Sequence, residues 1–328
     1  MKNKYLLACL LPLLVLVAAR LPYAPDPLPF RYPEGWPAPV YAFDKNPLTR
    51  EGVALGRRLF YDPVLSGDSS ISCSNCHLSY TAFTHVDHAL SHGIGDSIGL
   101  RNSATLVNLA WSRSFMWDGA ANHLDVQALA PISDPDEMGE NFAHVVKKVQ
   151  RSRAYRGLFY QAFGDSNATG QHLLQALAQF QLTFVSANAR YDRVMRGEAG
   201  AAFSEQEQKG YALFRTHCGS CHQEPLFTSG DFARNGLPPD SLLKDMGRMR
   251  ITGNPEDSLK FKIPTLRNIE FSYPYMHDGR FSSLQQVLRH YAQRIPLSPD
   301  ERTDLMAFLL TLSDKEFLFN PNLSYPRK

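Results

Sequence analysis

Two pentapeptides, Cys73-Ser-Asn-Cys76-His77 and Cys218-Gly-Ser-Cys221-His222, take four of the chain's five cysteines. Cys-x-x-Cys-His is the attachment signature of c-type haem. The chemistry sets the spacing: two thiols add across the two vinyl groups of one porphyrin, and the adjacent histidine reaches the iron as its proximal ligand. Two such motifs predict two covalently bound haem c groups, on Cys73, Cys76 and His77 and on Cys218, Cys221 and His222. A zinc site or a redox dithiol is the alternative. A dithiol does not need the fifth-position histidine twice, and exported zinc sites of this form are unusual. Haem linkage also consumes all four thiols, so no disulfides are expected.

The fifth cysteine, Cys9, sits in the N-terminal run. That run reads Met-Lys-Asn-Lys, then mostly apolar residues from Tyr5 to Ala19, then Arg20. A basic start, a short apolar stretch and small residues at Val17, Ala18 and Ala19 predict an export signal over residues 1–20. Its apolar run is short for a membrane span, and an uncleaved membrane anchor is the alternative. The expected location is the periplasm or cell envelope. The net charge of +2 owes much to this segment. Without Lys2, Lys4 and Arg20, the 34 Lys and Arg fall to 31 against 32 Asp and Glu, so nothing points to a nucleic-acid partner. Residues 21–47 carry eight prolines and should be extended and non-helical, as a spacer or as an arm laid on a domain.

Helix signals surround both haem motifs. Asn46-Pro47 offers a cap and a first-turn proline before one helix, and Ser204 to Glu207 form a capping box before another. Residues 171–197 read as one long helix bridging the halves, and Ser298 to Glu301 cap a last one. Strand signals are scarce. The expected fold is mainly α, with two cytochrome c-like haem domains at 48–195 and 196–328.

The domains are expected to be related by internal duplication. Residues 105–124 align without a gap to residues 265–284, and Thr, Leu, Asn, Ser, Met, Asp, Gly and Leu recur at matching positions. Each copy trails its haem motif, as a duplicated domain would require. Between copies, Trp117 becomes His277 and Ala120 becomes Arg280. Such differences are candidates for specialised function.

The segments LGRRLFYDP, SISCSNCH, RNSATLVN, FMWDG, DEMG, and KIPTLRN followed by PYMHDGR resemble the bacterial di-haem cytochrome c peroxidase and MauG superfamily. The resemblance runs from about residue 46 to 314. It implies that the N-terminal haem, with His77 proximal, is the peroxide site, and that Trp117 relays electrons between haems. It implies catalytic roles for Gln127 and Glu137. A carboxylate there can take the proton of a peroxide and return it to the leaving oxygen, while Gln127 can hydrogen-bond the bound oxygen. His92 falls where typical peroxidases carry a loop histidine that ligates the resting haem; His85 and His88 compete for that role.

At the second haem the resemblance makes His222 proximal. Typical peroxidases supply a methionine opposite, but here the matching position is Tyr291, as in MauG and its relatives. An anionic phenolate favours higher iron oxidation states than a thioether. Met276, His277 and His290 are rival ligands. The resemblance also implies one calcium ion between the domains, on the Asn102 side chain and on carbonyls near Lys262 and Pro264. Oxygen ligation suits calcium.

The leading expectation is an exported peroxidase that reduces hydrogen peroxide with electrons from a small c-type cytochrome or copper protein. The alternative is a MauG-like enzyme that oxidises side chains of a partner protein. A non-enzymatic di-haem electron carrier is the third reading, which Gln127 and Glu137 oppose, because a carrier needs no catalytic acid.

Overall fold

The computed structural model describes residues 23–326; the signal segment and Cys9 lie outside the described residues. The longer helices are Arg50–Tyr61 (α1), Phe142–Arg151 (α2), Arg153–Phe163 (α3), Gly170–Leu182 (α4), Glu205–His217 (α5), Leu284–Tyr291 (α6) and Pro299–Leu310 (α7). The one sheet among the described residues pairs Phe232–Ala233 with Phe261–Lys262, antiparallel. No helix among the described residues is long and apolar enough to cross a membrane.

Each half is organised around one helix crossing that only glycine permits. In α1, a Cβ on Gly56 would lie 1.9 Å from the Ala176 carbonyl oxygen of α4; in α5, a Cβ on Gly210 would lie 1.9 Å from the Asp304 carbonyl oxygen of α7. Four residues on, Phe60 and Phe214 are both buried, and each helix presses against a phenylalanine of its partner, Phe180 or Phe308. Two apolar clusters follow. The first gathers Leu59, Phe60, Phe83, Val145, Phe159 and Phe180, and the second Tyr191, Phe214, Phe227, Ile269, Leu305 and Phe308. The chain end returns to the first cluster: Phe317, Leu318 and Leu323 pack there, and the Tyr61 hydroxyl donates to the Leu323 carbonyl at 2.6 Å.

The Pro-rich segment is an arm laid on the first half. Its described residues contain no helix, and its aromatic residues Phe30, Tyr32 and Trp36 surround Trp111. The Trp111 indole N–H donates to the Pro37 carbonyl at 2.7 Å, and Val40 and Tyr41 N–H donate to the Ala110 carbonyl. Trp36 also covers Arg267, which is fully buried and forks onto Asp192 at 2.9 and 2.7 Å.

Two helix expectations are corrected. α1 starts at Arg50, capped by Thr49 rather than by Asn46. The Asn46 amide donates instead to the Tyr41 hydroxyl and the Gln175 carbonyl and accepts from Gln179, which fastens the arm to α4. The helix expected over 171–197 stops at Leu182 and resumes as a short turn at Arg190–Met195. Tertiary partners win there. Phe184 stacks on Phe83 with centroids 3.8 Å apart, the Ser186 N–H donates to Asn108, and Ala187 and Asn188 N–H donate to the buried Asp314 carboxylate. Backbone groups satisfied this way have no need of a helical ladder. The capping boxes at Ser204 and Ser298 are present.

The aligned segments share their backbone. Asn108 and Asn268 have φ of 58° and 59°, Met116 and Met276 of 68° and 75°, and Gly119 and Gly279 of 75° and 66°. Phe115 bridges Ala121 as Tyr275 bridges Phe281. Residues just before each aligned segment bind the other segment reciprocally. The Asn102 N–H donates to the His277 carbonyl, and the Lys262 N–H donates to the Trp117 carbonyl, both at 2.7 Å. Asn102 and Lys262 are separated by the same interval as Trp117 and His277. Arg101 reinforces the junction, bonding Asp118 at 2.7 Å and forking onto Asp245 at 2.6 and 2.9 Å.

A Cβ at either helix crossing forces the paired helices apart. Gly56→Ala and Gly210→Ala should each cost about 1–3 kcal/mol, read as a lower midpoint in thermal unfolding followed by circular dichroism; an unchanged midpoint would show that the crossings are looser than described.

Candidate active site

Both cysteine motifs present the same set of donors. Residues Cys73–Cys76 form one helical turn, and the His77 N–H closes it on the Cys73 carbonyl at 2.9 Å. Cys218 caps the C-terminus of α5, and the His222 N–H donates to its carbonyl at 2.9 Å. All four thiols are free. Burial pushes the Cys73 thiol up to about 12 and those of Cys76 and Cys218 to about 11.

The two histidines are held the same way. His77 Nδ1 lies 2.6 Å from the Phe83 carbonyl; His222 Nδ1 lies 3.2 Å from the Phe227 carbonyl and 3.1 Å from that of Pro264. A carbonyl can only accept, so Nδ1 carries the proton and Nε2 keeps its lone pair. Burial lowers both imidazole pKa values, that of His77 to about 4. The carbonyls are aimed by unusual backbone: Phe83 and Phe227 have φ of 58° and 55°. Threonines from the aligned segments pin these loops, Thr105 Oγ1 donating to the Ala82 carbonyl at 2.6 Å and Thr265 Oγ1 to the Leu226 carbonyl at 2.7 Å. Paired free thiols beside a neutral imidazole with an unspent Nε2 are the donor set that a c-type haem requires, so the residues fit that group.

Glu137 lies on a turn beside the first thiol pair, close enough for its charge to raise both thiols. Burial, with help from the nearby Asp134 carboxylate, lifts the Glu137 carboxyl to about 7. The His92 loop packs on the same turn. The Ile94 N–H donates to the Glu137 carbonyl at 2.8 Å, and a Cβ on Gly93 would lie 2.2 Å from the Asp136 carbonyl oxygen. His92 contacts the cradle through its carbonyl, 3.6 Å from Cys76 Sγ. Its Nδ1 pairs with Asp96 at 2.7 Å, and its ring stacks on His88, which stacks on His85. The rival histidines therefore form one pile with His92. His85 Nδ1 is buried without a partner.

Trp117 stands at the junction. Its indole N–H donates to the Asn102 carbonyl at 2.8 Å, and its own carbonyl takes the Lys262 N–H. Gln127 is linked to the preceding residue, its amide lying 3.5 Å from Met116 Sδ. Asn235 reproduces that contact on Met276 at the same distance.

Tyr291 ends α6, and its phenol pKa is raised by burial and by Cys218 and Cys221, so it sits beside the second thiol pair. Two of the rivals have polar partners elsewhere, and the Nδ1 of the third, His277, is buried without one. Met276 sulfur takes the Asn235 amide, His290 Nε2 bonds the Asn235 carbonyl at 2.9 Å, and His277 stacks on Phe261 at 3.6 Å. Of the expected calcium residues, Asn102 and Lys262 meet at Trp117, whereas the Pro264 carbonyl faces His222. The Asn102 side-chain amide donates to the Ala89 carbonyl at 3.0 Å. The Lys262 ammonium is buried, contacting Ser112 Oγ at 3.3 Å and the Ser114 carbonyl.

The loops ending at Phe83 and Phe227, Asp96, and the Met116 and Met276 contacts had no warrant in the sequence. The phenylalanine after each motif was visible, but its positive φ is rare for a bulky residue and leaves no compositional trace.

Each half thus carries a cysteine pair and a pinned histidine that fit a c-type haem, and Trp117 lies where the halves meet. A family profile described as di-haem cytochrome c peroxidase matches residues 50–200. The chain is 37% identical over 307 residues to the methylamine utilization protein MauG of Methylorubrum extorquens, covering 86% of this chain and 83% of that one. It is 34% identical over 276 residues to the cytochrome c551 peroxidase of Nitrosomonas europaea, covering 82% and 81%. Among solved structures, a MauG-like protein associated with microbial copper homeostasis superposes with a TM-score of 0.84 at 30% identity, over 91% of this chain and 99% of that one. The chain belongs to the di-haem cytochrome c peroxidase and MauG family, an oxidoreductase family whose cofactors are haem.

Lys262 offers a test of the junction's burial. Burial lowers its ammonium to about 8 from 10.5, so between these values the unfolded chain holds more protons than the folded one. Stability from this group therefore rises with pH across that window. Lys262→Met should flatten that rise in thermal melts taken from pH 8 to 10.5; an unchanged slope would place the ammonium in solvent.

Proposed function

We propose that this chain is an exported di-haem peroxidase that reduces hydrogen peroxide to water with electrons from a small redox protein. One observation carries the reading: Glu137, a carboxyl raised to about 7, stands beside the first thiol pair, whereas no carboxylate among the described residues shifts Cys218 of the second. Cys73 and Cys76 would hold one haem with His77 Nε2 on its iron, and Cys218 and Cys221 the other with His222. The haem supplies the electron exchange and the coordination position that peroxide cleavage needs.

The side chains do the rest. At neutral pH Glu137 is divided between its two protonation states, the best condition for a group that must first accept and then donate. As carboxylate it takes a proton from peroxide; as acid it returns that proton to the departing oxygen, which leaves as water. Gln127 offers an amide N–H to orient the substrate, once released from the weak Met116 contact. Trp117 spans the junction as the electron relay. Two electrons and two protons convert each peroxide to two waters. The halves are read as duplicated domains, the indole being retained in the copy that faces the junction relay. Calcium on Asn102 and the neighbouring carbonyls belongs to the same reading, as does residence in the periplasm.

A second reading has its own support. Tyr291 stands beside Cys218 and Cys221, and its oxygen, on giving up its proton to an iron there, would suit oxidised iron, which favours a MauG-like enzyme acting on a partner protein. Steady-state turnover of peroxide with a reduced small cytochrome separates the two. Fast turnover supports the peroxidase; reaction with peroxide but no cytochrome oxidation supports the second.

Glu137→Gln should lower the rate of peroxide consumption by about 10²–10⁴-fold with haem content unchanged. In the parent, the rate should rise as pH passes through about 7, because the carboxylate is the competent base; the variant should lose that inflection. An unaltered rate and profile would remove Glu137 from the chemistry. Tyr291→Phe should shift the low-spin electron paramagnetic resonance signal of one haem only, and the absence of any shift would take Tyr291 off the iron.

A further inference from the structure

Outside this site, two tyrosines of the second apolar cluster share one carboxylate. The Tyr191 hydroxyl donates to Glu224 Oε2, and the Tyr211 hydroxyl donates to the same oxygen at 2.9 Å. Tyr191 is only 3% exposed, whereas the Tyr211–Glu224 bond is open to solvent. The rings form a continuous file. Tyr211 and Tyr191 have centroids 6.3 Å apart, and Tyr191 meets Phe227 edge-on at 4.8 Å. Phe227 is the residue whose carbonyl holds His222 Nδ1. The file therefore runs from the second histidine to the surface.

We propose that Tyr191 and Tyr211, with Glu224 as their shared proton acceptor, form a redox-active pair through which oxidising equivalents pass between the second haem and the protein surface. The proposal rests on the reading that His222 binds a haem.

The chemistry requires all three groups. A neutral phenol that loses an electron becomes a very strong acid, so its proton must have somewhere to go at once. Burial and the Glu224 hydrogen bond hold both phenols protonated, that of Tyr211 at about 12. Each oxidation therefore expels a proton, and each hydroxyl already points at the carboxylate. The electron leaves Tyr191 along the Phe227 contact towards His222. The proton moves to Glu224, which is exposed and can release it to water. With hydrogen peroxide as oxidant and no other donor, one peroxide and two tyrosine hydroxyls give two waters and two neutral phenoxyl radicals. Electrons and protons balance with no further reactant. Arg215, whose guanidinium carbon lies 5.8 Å from the Tyr211 ring centroid, marks where the file meets the surface.

The test uses the haem-loaded protein and two oxidants. In one arm hydrogen peroxide is added without an electron donor; in the other a light-driven ruthenium polypyridyl complex with a sacrificial acceptor removes single electrons. Samples are frozen for electron paramagnetic resonance, and a nitroso spin trap is mapped by peptide mass spectrometry. The expected result is an organic radical whose hyperfine structure collapses on labelling with deuterated tyrosine, with trap adducts on Tyr191 or Tyr211. The signal should be lost in the Tyr191→Phe/Tyr211→Phe double variant and should form more slowly in Glu224→Gln. A radical that survives the double variant, adducts confined to other tyrosines, or no radical with either oxidant would overturn the proposal. Haem absorbance that never responds to peroxide would instead overturn the functional reading, and the ruthenium arm would still decide the tyrosine pair by the same outcomes.

Discussion

Two backbone hydrogen bonds hold the architecture together: Asn102 N–H on the His277 carbonyl and Lys262 N–H on the Trp117 carbonyl. The residue three positions before each aligned segment thus grips the ring-bearing residue of the other segment. A reciprocal contact of this kind is what an isologous interface produces between identical subunits, here within one chain. It fixes where Trp117 can stand. Trp117 is held twice, its backbone carbonyl accepting from the Lys262 N–H and its indole N–H donating to the Asn102 carbonyl. The equivalent His277 has another use, stacked on Phe261 and 3.8 Å from Asp278. The same position in the two aligned segments therefore carries an indole bonded to the Asn102 carbonyl in one and a packed, charge-flanked ring in the other.

The cradles show the same economy. Each histidine is fixed through Nδ1 by the carbonyl of a phenylalanine at positive φ, and a threonine of the repeat holds each loop one residue earlier. Left-handed backbone at a bulky residue costs on the order of 1 kcal/mol or more and persists where surrounding packing determines it. Phe83 and Phe227 are both fully buried, so packing supplies that determination. The strain sits next to the residue whose orientation matters most, and it is the same in both halves.

How much of this the sequence disclosed depended on the range of the forces involved. The cysteine motifs, the capping boxes at Ser204 and Ser298 and the repeated segment are local patterns, and local chemistry specifies them. The asparagines at 108 and 268 belong with these, since asparagine tolerates the left-handed region they occupy. The misplaced helix limits had long-range causes. Leu182 ends its helix because Asn108 and Asp314, 78 and 127 residues from the groups they bind, offer better partners. Asn46 looked like a cap but was already committed to Gln179. Tyr191, Glu224 and Tyr211 are likewise far apart along the chain, and no periodicity links them.

The halves differ mainly where loops and short turns meet the cradles. Gly93 admits the His92 loop to the turn that bears Glu137, so a titratable carboxyl and a histidine pile belong to the first cradle. The second receives Tyr291 from the end of α6 and the aromatic file behind His222. A raised carboxyl therefore lies beside the first cysteine pair, and phenols lie beside the second. A Cβ at either glycine crossing would meet a carbonyl oxygen of the partner helix, so the two crossings are constrained alike and the differences between the halves lie in the segments outside them.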